Sequence, residues 1–295
     1  MSCIVFSMKL IRSLLVASLA AVAGAMHVGR PGPSTRARLI QLRGGQEGGE
    51  DDAAENRRLG REEVETKLSS IPVFCILNEE AQFIGMSADD GAIEVAFYVE
   101  HEDVTEAFEL MKAASEDLAA DMRLGVLPLS VAFKICGGWE STERPTEPPT
   151  QEEGQPRYIL RGPRQAAEEH EATVREQLVN MGLTSAAASK WVVPVFCTDD
   201  FQRPDMMPLF FSEEQLKQGW VRAGLNPDDV ELVIPTVMDV RALVMNMMNT
   251  DQMPWSRFQL VTSVEAYEAS QKLQAEAAAD DGESESEEPE EGESQ

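Results

Sequence analysis

The chain has 295 residues, 43% of them apolar, which is enough for one core or two small ones. Its 25 Lys and Arg stand against 52 Asp and Glu, a net charge of −27, yet residues 1–46 contain six basic residues and no acid, so the remainder carries −33. A surface that acidic repels phosphate backbones, which argues against nucleic acid as a partner and for basic ones.

The chain opens with an address. Lys9 and Arg12 precede an apolar run over 13–25 that closes on Ala23-Gly24-Ala25, the pattern of a signal peptide and too short to span a bilayer. Residues 26–46, rich in Arg, Gly, Pro and Ser/Thr, have transit-peptide composition. The two together resemble the bipartite leader of algae with secondary plastids, although Met26 stands where such leaders usually carry Phe. A secreted protein with a basic spacer is the alternative. Residues 47–60, polar and glycine-rich, form a linker.

The body, over 61–275, begins with a short helix over 61–68. The run Ile71-Pro72-Val73-Phe74-Cys75 predicts a buried strand, with a return strand over 92–99. Val104, Phe108, Met111, Ser115, Leu118 and Met122 fall on one face of a predicted helix over 102–122. A strand over 124–129, a helix capped by Ser130, an exposed loop over 137–156, a strand over 157–161 and a helix over 164–181 complete a half-unit of about 68–182.

The second half-unit, about 190–275, replays this order. Val193-Pro194-Val195-Phe196-Cys197 repeats the first strand, and 208–211 is its return. Ser212 and Gln215 form a capping box for a helix stopped at Gly224. A strand over 231–235, a helix over 237–249 capped by Thr236, a strand over 258–261 and a helix over 264–278 follow. Pairing Ile71 with Val193, Val99 with Phe211, Ser130 with Thr236 and Tyr158 with Phe258 keeps the order of elements throughout. The fold class is therefore α/β (α+β): two pseudo-symmetric half-units, each strand–strand–helix–strand–helix–strand–helix, packed into one body. Residues 276–295 read as an acidic disordered tail.

Chemistry-bearing motifs are scarce. Cys75, Cys136 and Cys197 lie 61 residues apart without CxxC or zinc-ligand spacing and read as core residues. His101 and His170 sit beside acids, and no P-loop, HExxH or GxSxG is present. The reading is no enzyme, with no catalytic residue, cofactor or metal. Met238, Met245 and Met248, with Phe97, Phe210 and Phe211, are the candidate lining of an apolar peptide groove. A helix sandwiched in the core is the competing explanation of the methionines.

The ordered series IPVFCILNEE (71–80), VLPLSVAFKI (126–135), RYILRGPRQA (157–166), VVPVFCTDDF (192–201), PLFFSEEQL (208–216) and VMDVRALVMNMM (237–248) with FQLVT (258–262) resembles the twenty-two-kilodalton component of the plastid inner-envelope import translocon, the Tic twenty-two-like family. The resemblance spans about 68–270 and rests on the order of the segments. It implies a soluble, chaperone-like factor of plastid protein import that binds precursor proteins or their transit peptides beside other translocon components. Its expected place is the envelope intermembrane space, with peripheral membrane association open and no transmembrane segment in the mature chain. A structural or assembly partner inside the plastid and an unrecognised enzyme are the other readings.

Overall fold

A computed structural model describes residues 3–5, 56–88, 90–115, 119–143, 155–198, 201, 206–230 and 233–283. The expected leader beyond Cys3–Val5, most of the linker, residues 144–154 of the predicted loop and residues 284–295 of the tail lie outside the described residues.

The first half-unit comprises α1 (Arg61–Ser69), β2 (Pro72–Asn78), β3 (Ile84–Ser87), β4 (Ile93–Tyr98), α2 (His101–Ala114), β5 (Met122–Pro128), α3 (Leu129–Ile135), α4 (Gly138–Glu143), β6 (Arg157–Arg161), α5 (Arg164–Asn180) and α6 (Ser185–Ser189). The second comprises β7 (Pro194–Cys197), β8 (Met207–Phe210), α7 (Glu213–Arg222), α8 (Pro227–Val230), β9 (Thr236–Asp239), α9 (Val240–Asn249), a 3-10 turn at Trp255–Arg257, β10 (Phe258–Val261) and α10 (Val264–Glu283). A short N-terminal strand, β1 (Cys3–Val5), pairs with β3.

The duplication is explicit in the sheets. In the first, β6 runs parallel to β4, β4 antiparallel to β2, and β2 antiparallel to β5; the second repeats this as β10, β8, β7 and β9. Register matches as well as order. Phe74 faces Tyr98 as Phe196 faces Phe210, and Leu160 lies beside Phe97 as Leu260 lies beside Leu209.

Five sequence expectations are corrected. The helix predicted over 102–122 ends at Ala114, because Ser115 is extended and Met122 pairs with Asn78 at the start of β5. The pairing of Ser130 with Thr236 gives way to Pro128 with Asp239, the two residues that face the prolines of the first strands and precede the helices. Thr236, Val237 and Met238 are strand rather than helix, since β7 offers them a ladder that outweighs local propensity. The loop predicted from residue 137 contains α4, whose Trp139 is buried, and the tail predicted from 276 is helical to Glu283.

Alternation along each strand sorts the core into layers. Val73, Cys75, Val95 and Phe97 of the first sheet, with Val195, Met207 and Leu209 of the second, point into one shared core that α3 and α9 complete. On the opposite faces, Phe74, Ile76 and Tyr98 pack against Val104 and Met111 of α2 and Ala266 of α10, while Phe196 and Phe210 pack against Ala166 of α5 and Leu216 and Trp220 of α7. Each half therefore sends its last helix across: α5 lies on β7 and β9, and α10 lies on β2 and β5. Neither sheet has a complete cover from its own half.

At the centre sits a fully buried ion pair. Arg241, on the apolar helix α9, places its Nε 2.9 Å from Asp239. Its Nη atoms donate to the carbonyls of Ala187 at 2.7 Å, Ala188 at 3.3 Å and Trp191, and its guanidinium lies 4.1 Å over the Trp191 ring. Asp239 accepts the backbone N–H groups of Val193 at 3.1 Å and Arg241 at 2.8 Å. Replacing Asp239 by Ala leaves a dry, uncompensated guanidinium, and chemical denaturation is expected to show a loss of about 3–5 kcal/mol. Adding Arg241→Met restores only part of it, because the carbonyls of Ala188 and Trp191 and the Val193 N–H lose the partners this pair supplies. A loss under about 1 kcal/mol for Asp239→Ala would contradict this account.

Candidate functional site

The six residues expected to line an apolar groove do not come together on a surface. Phe97 and Phe211 are fully buried in the shared core, with partly buried Met248 packed on it. Phe210 belongs to the outer layer under α7, and Met245 packs with Leu178, Leu183 and Ala187. Partly buried Met238 bridges the shared core and that last cluster. The methionines fill irregular gaps between helices, as the competing explanation had it.

The groove that the structure does have lies elsewhere. A hollow of about 490 Å³ runs along β6, between α2 on one side and α5 on the other, and ends at the segment 189–192 that joins the half-units. Its floor is apolar: Ile159 and Leu160 of β6, Tyr98 of β4 and Trp191. Leu110 on α2 overhangs it with 61% of its surface exposed, an apolar side chain that the fold leaves uncovered. β6 can form this floor because it pairs with β4 alone among the described strands.

Charged residues rim the hollow in pairs. Arg164 reaches Glu106 at 2.8 Å and donates its backbone N–H to Asp103 at 3.1 Å; Arg161 lies 3.5 Å from Glu94, and Arg175 contacts Glu171. Burial raises the Asp103 carboxyl above its usual range despite Arg164, and burial lowers the Lys190 ammonium at the far end. The local charge is thus nearly balanced, and selectivity inside the hollow falls to its apolar floor.

A second, smaller hollow of about 250 Å³ lies along β10 beside the end of α1, without walls from α7 or α10. There Lys67 of α1 donates to the carbonyls of Ser256 and Phe258, both at 2.8 Å, and ties the strand to the first helix.

Sequence reasoning passed over Leu110, Ile159 and Trp191 because nothing in their local pattern separates a groove floor from core. Arg241 did carry a signal, as the lone charge in an apolar helix two residues after an aspartate. His170 lies 3.5 Å from Glu213 and edge-on to Phe196, in a structural setting. Among the described residues no group of three or more His, Cys, Asp or Glu could hold a metal, and no helix is long and apolar enough to cross a membrane.

No protein-family profile matches the chain, and no curated protein matches it. Among solved structures the chain is similar to Tic22 from Plasmodium falciparum, with 16% identity over 72% of this chain and 98% of that one and a TM-score of 0.49. It is also similar to Anabaena Tic22 (protein transport), with 14% identity over 73% of this chain and 98% of that one and a TM-score of 0.47.

Cys75 and Cys136 are buried in the shared core, and desolvation pushes both thiols well above their ordinary value. Neither is expected to react with N-ethylmaleimide at pH 8 in the folded protein, and both should react fully in denaturant, as read by site-resolved mass spectrometry. Rapid native labelling of either would return thiol chemistry to consideration.

Proposed function

We propose that the protein serves protein import into a plastid as a chaperone-like holding factor, with the β6 groove receiving a basic, partly apolar stretch of a precursor such as a transit peptide. The observation that carries this reading is the open groove itself: an apolar floor under the exposed Leu110, walled by helices of an acidic body. The ordered segments that resemble the Tic twenty-two-like family support it from the sequence side. In this reading the net charge gathers basic clients and speeds encounter, while Leu110, Ile159 and Trp191 hold them. The partners are precursors and translocon components, met in the envelope intermembrane space at the end of a route set by the bipartite leader. No covalent chemistry is required of the protein.

Fluorescence anisotropy with a labelled basic amphipathic transit-type peptide tests the proposal. Saturable binding is expected, weakened roughly tenfold between low and high salt as the steering field is screened. Leu110→Asp should weaken it further while leaving stability within about 0.5 kcal/mol of wild type, since the side chain is already in water. Absence of binding, or binding indifferent to both salt and Leu110→Asp, would overturn the reading.

A further inference from the structure

A single carboxyl of the first half-unit joins the starts of two helices of the second. Glu100, the residue before α2, accepts a hydrogen bond from Ser263 Oγ at 2.9 Å on one oxygen and from the Gln215 side-chain amide on the other. Ser263 in turn accepts the Ala266 N–H at 3.1 Å at the root of α10, and Gln215 accepts the Phe211 N–H at 3.0 Å at the root of α7.

The grip of α10 on the first sheet is otherwise slight. It contacts the sheet through Ala266 and Ser270, both buried, and through partly buried Ala269 and Leu273. Its counterpart α5 buries Val174 and Leu178. Small side chains bury little apolar area, so a larger share of the hold on α10 rests at its root.

We propose that the Glu100–Ser263–Gln215 contact is a pH-operated latch on α10, closed when Glu100 is protonated and loosened when it is ionised. The surroundings set that sign. Asp103 on α2 and Glu265 on α10 both repel a charge on Glu100, and α7 presents the uncharged Gln215. Arg164 is engaged by Glu106 and Asp103, and Lys272 of α10 acts on His101, whose imidazole burial already holds toward neutrality. Desolvation outweighs the two hydrogen bonds and lifts the Glu100 carboxyl to about 7. A carboxyl raised in the closed form and ordinary in the open, hydrated form favours closure below its ordinary value. That advantage disappears as pH rises through 7. Between pH 5 and 8 the opening equilibrium of the α10 root should rise on the order of fifty-fold.

The duplication supplies an internal control. In the register that matches Tyr98 with Phe210, Glu100 corresponds to Ser212, so no carboxyl of the other half joins the root of α5; the carboxyl there is Asp103 of the same half, which accepts the Arg164 N–H beside the Arg164–Glu106 pair. Hydrogen exchange of the full chain at pH 5.5 and pH 8, corrected for intrinsic rates, should show protection lost over 264–273 at the higher pH, and a smaller change over 164–178, whose root carboxyl Asp103 is met by Arg164. Glu100→Gln, which keeps an acceptor and cannot ionise, should make the protection of α10 independent of pH. Equal protection of wild-type α10 at both values would overturn the latch, as would a pH response that survives in Glu100→Gln or appears equally in α5.

Discussion

The arrangement depends on one buried charge pair. Asp239 closes β9 onto the N–H of Val193, the residue before β7, and Arg241 draws in the carbonyls of Ala187, Ala188 and Trp191. One pair of side chains thereby fixes the second sheet, the helix that follows it and the segment linking the half-units. An apolar pair of equal volume could fill the space, but it could not satisfy the Val193 N–H and the carbonyls of Ala188 and Trp191, at a junction where no regular ladder reaches them. That segment also forms the end wall of the groove, so the geometry of Trp191 is set from within the core.

Exchange of the last helices makes the two half-units one cooperative body. Each sheet has an outer face that its own half covers only in part and that a helix of the other half completes, which answers the problem of a lone sheet with an exposed apolar side. The contacts that complete the first sheet join residues near 74 to residues near 266, so closure of the fold is strongly non-local.

Much of this was legible in the residues. The Pro-Val-Phe-Cys repeat located β2 and β7, and the matched positions at 99 and 211 and at 158 and 258 agree with the ladder registers. Errors arose where one periodicity imitated another. Met122 continued the helical spacing of α2 by accident, and Val237-Met238 looked helical because the chain after Asp239 is. β3 went unread, since four residues between polar turns carry almost no signal. The candidate groove residues were apolar and aromatic, which are also the properties of core. Only tertiary contacts decide between the two, and they bury Phe97, Phe210, Phe211 and Met245. The groove that exists is defined by what is missing beside β6, and an absent neighbour leaves no mark on local sequence.

The crossing of α10 also governs how the chain can be made. A polypeptide leaves the ribosome from its N-terminus, and the outer face of the first sheet has only α2 to cover it until residues past Leu273 have emerged. Phe74, Ile76 and Tyr98 then have Val104 and Met111 beside them but lack Ala266 for almost the whole of synthesis. The two half-units thus lock together only when nearly the whole chain is available to fold.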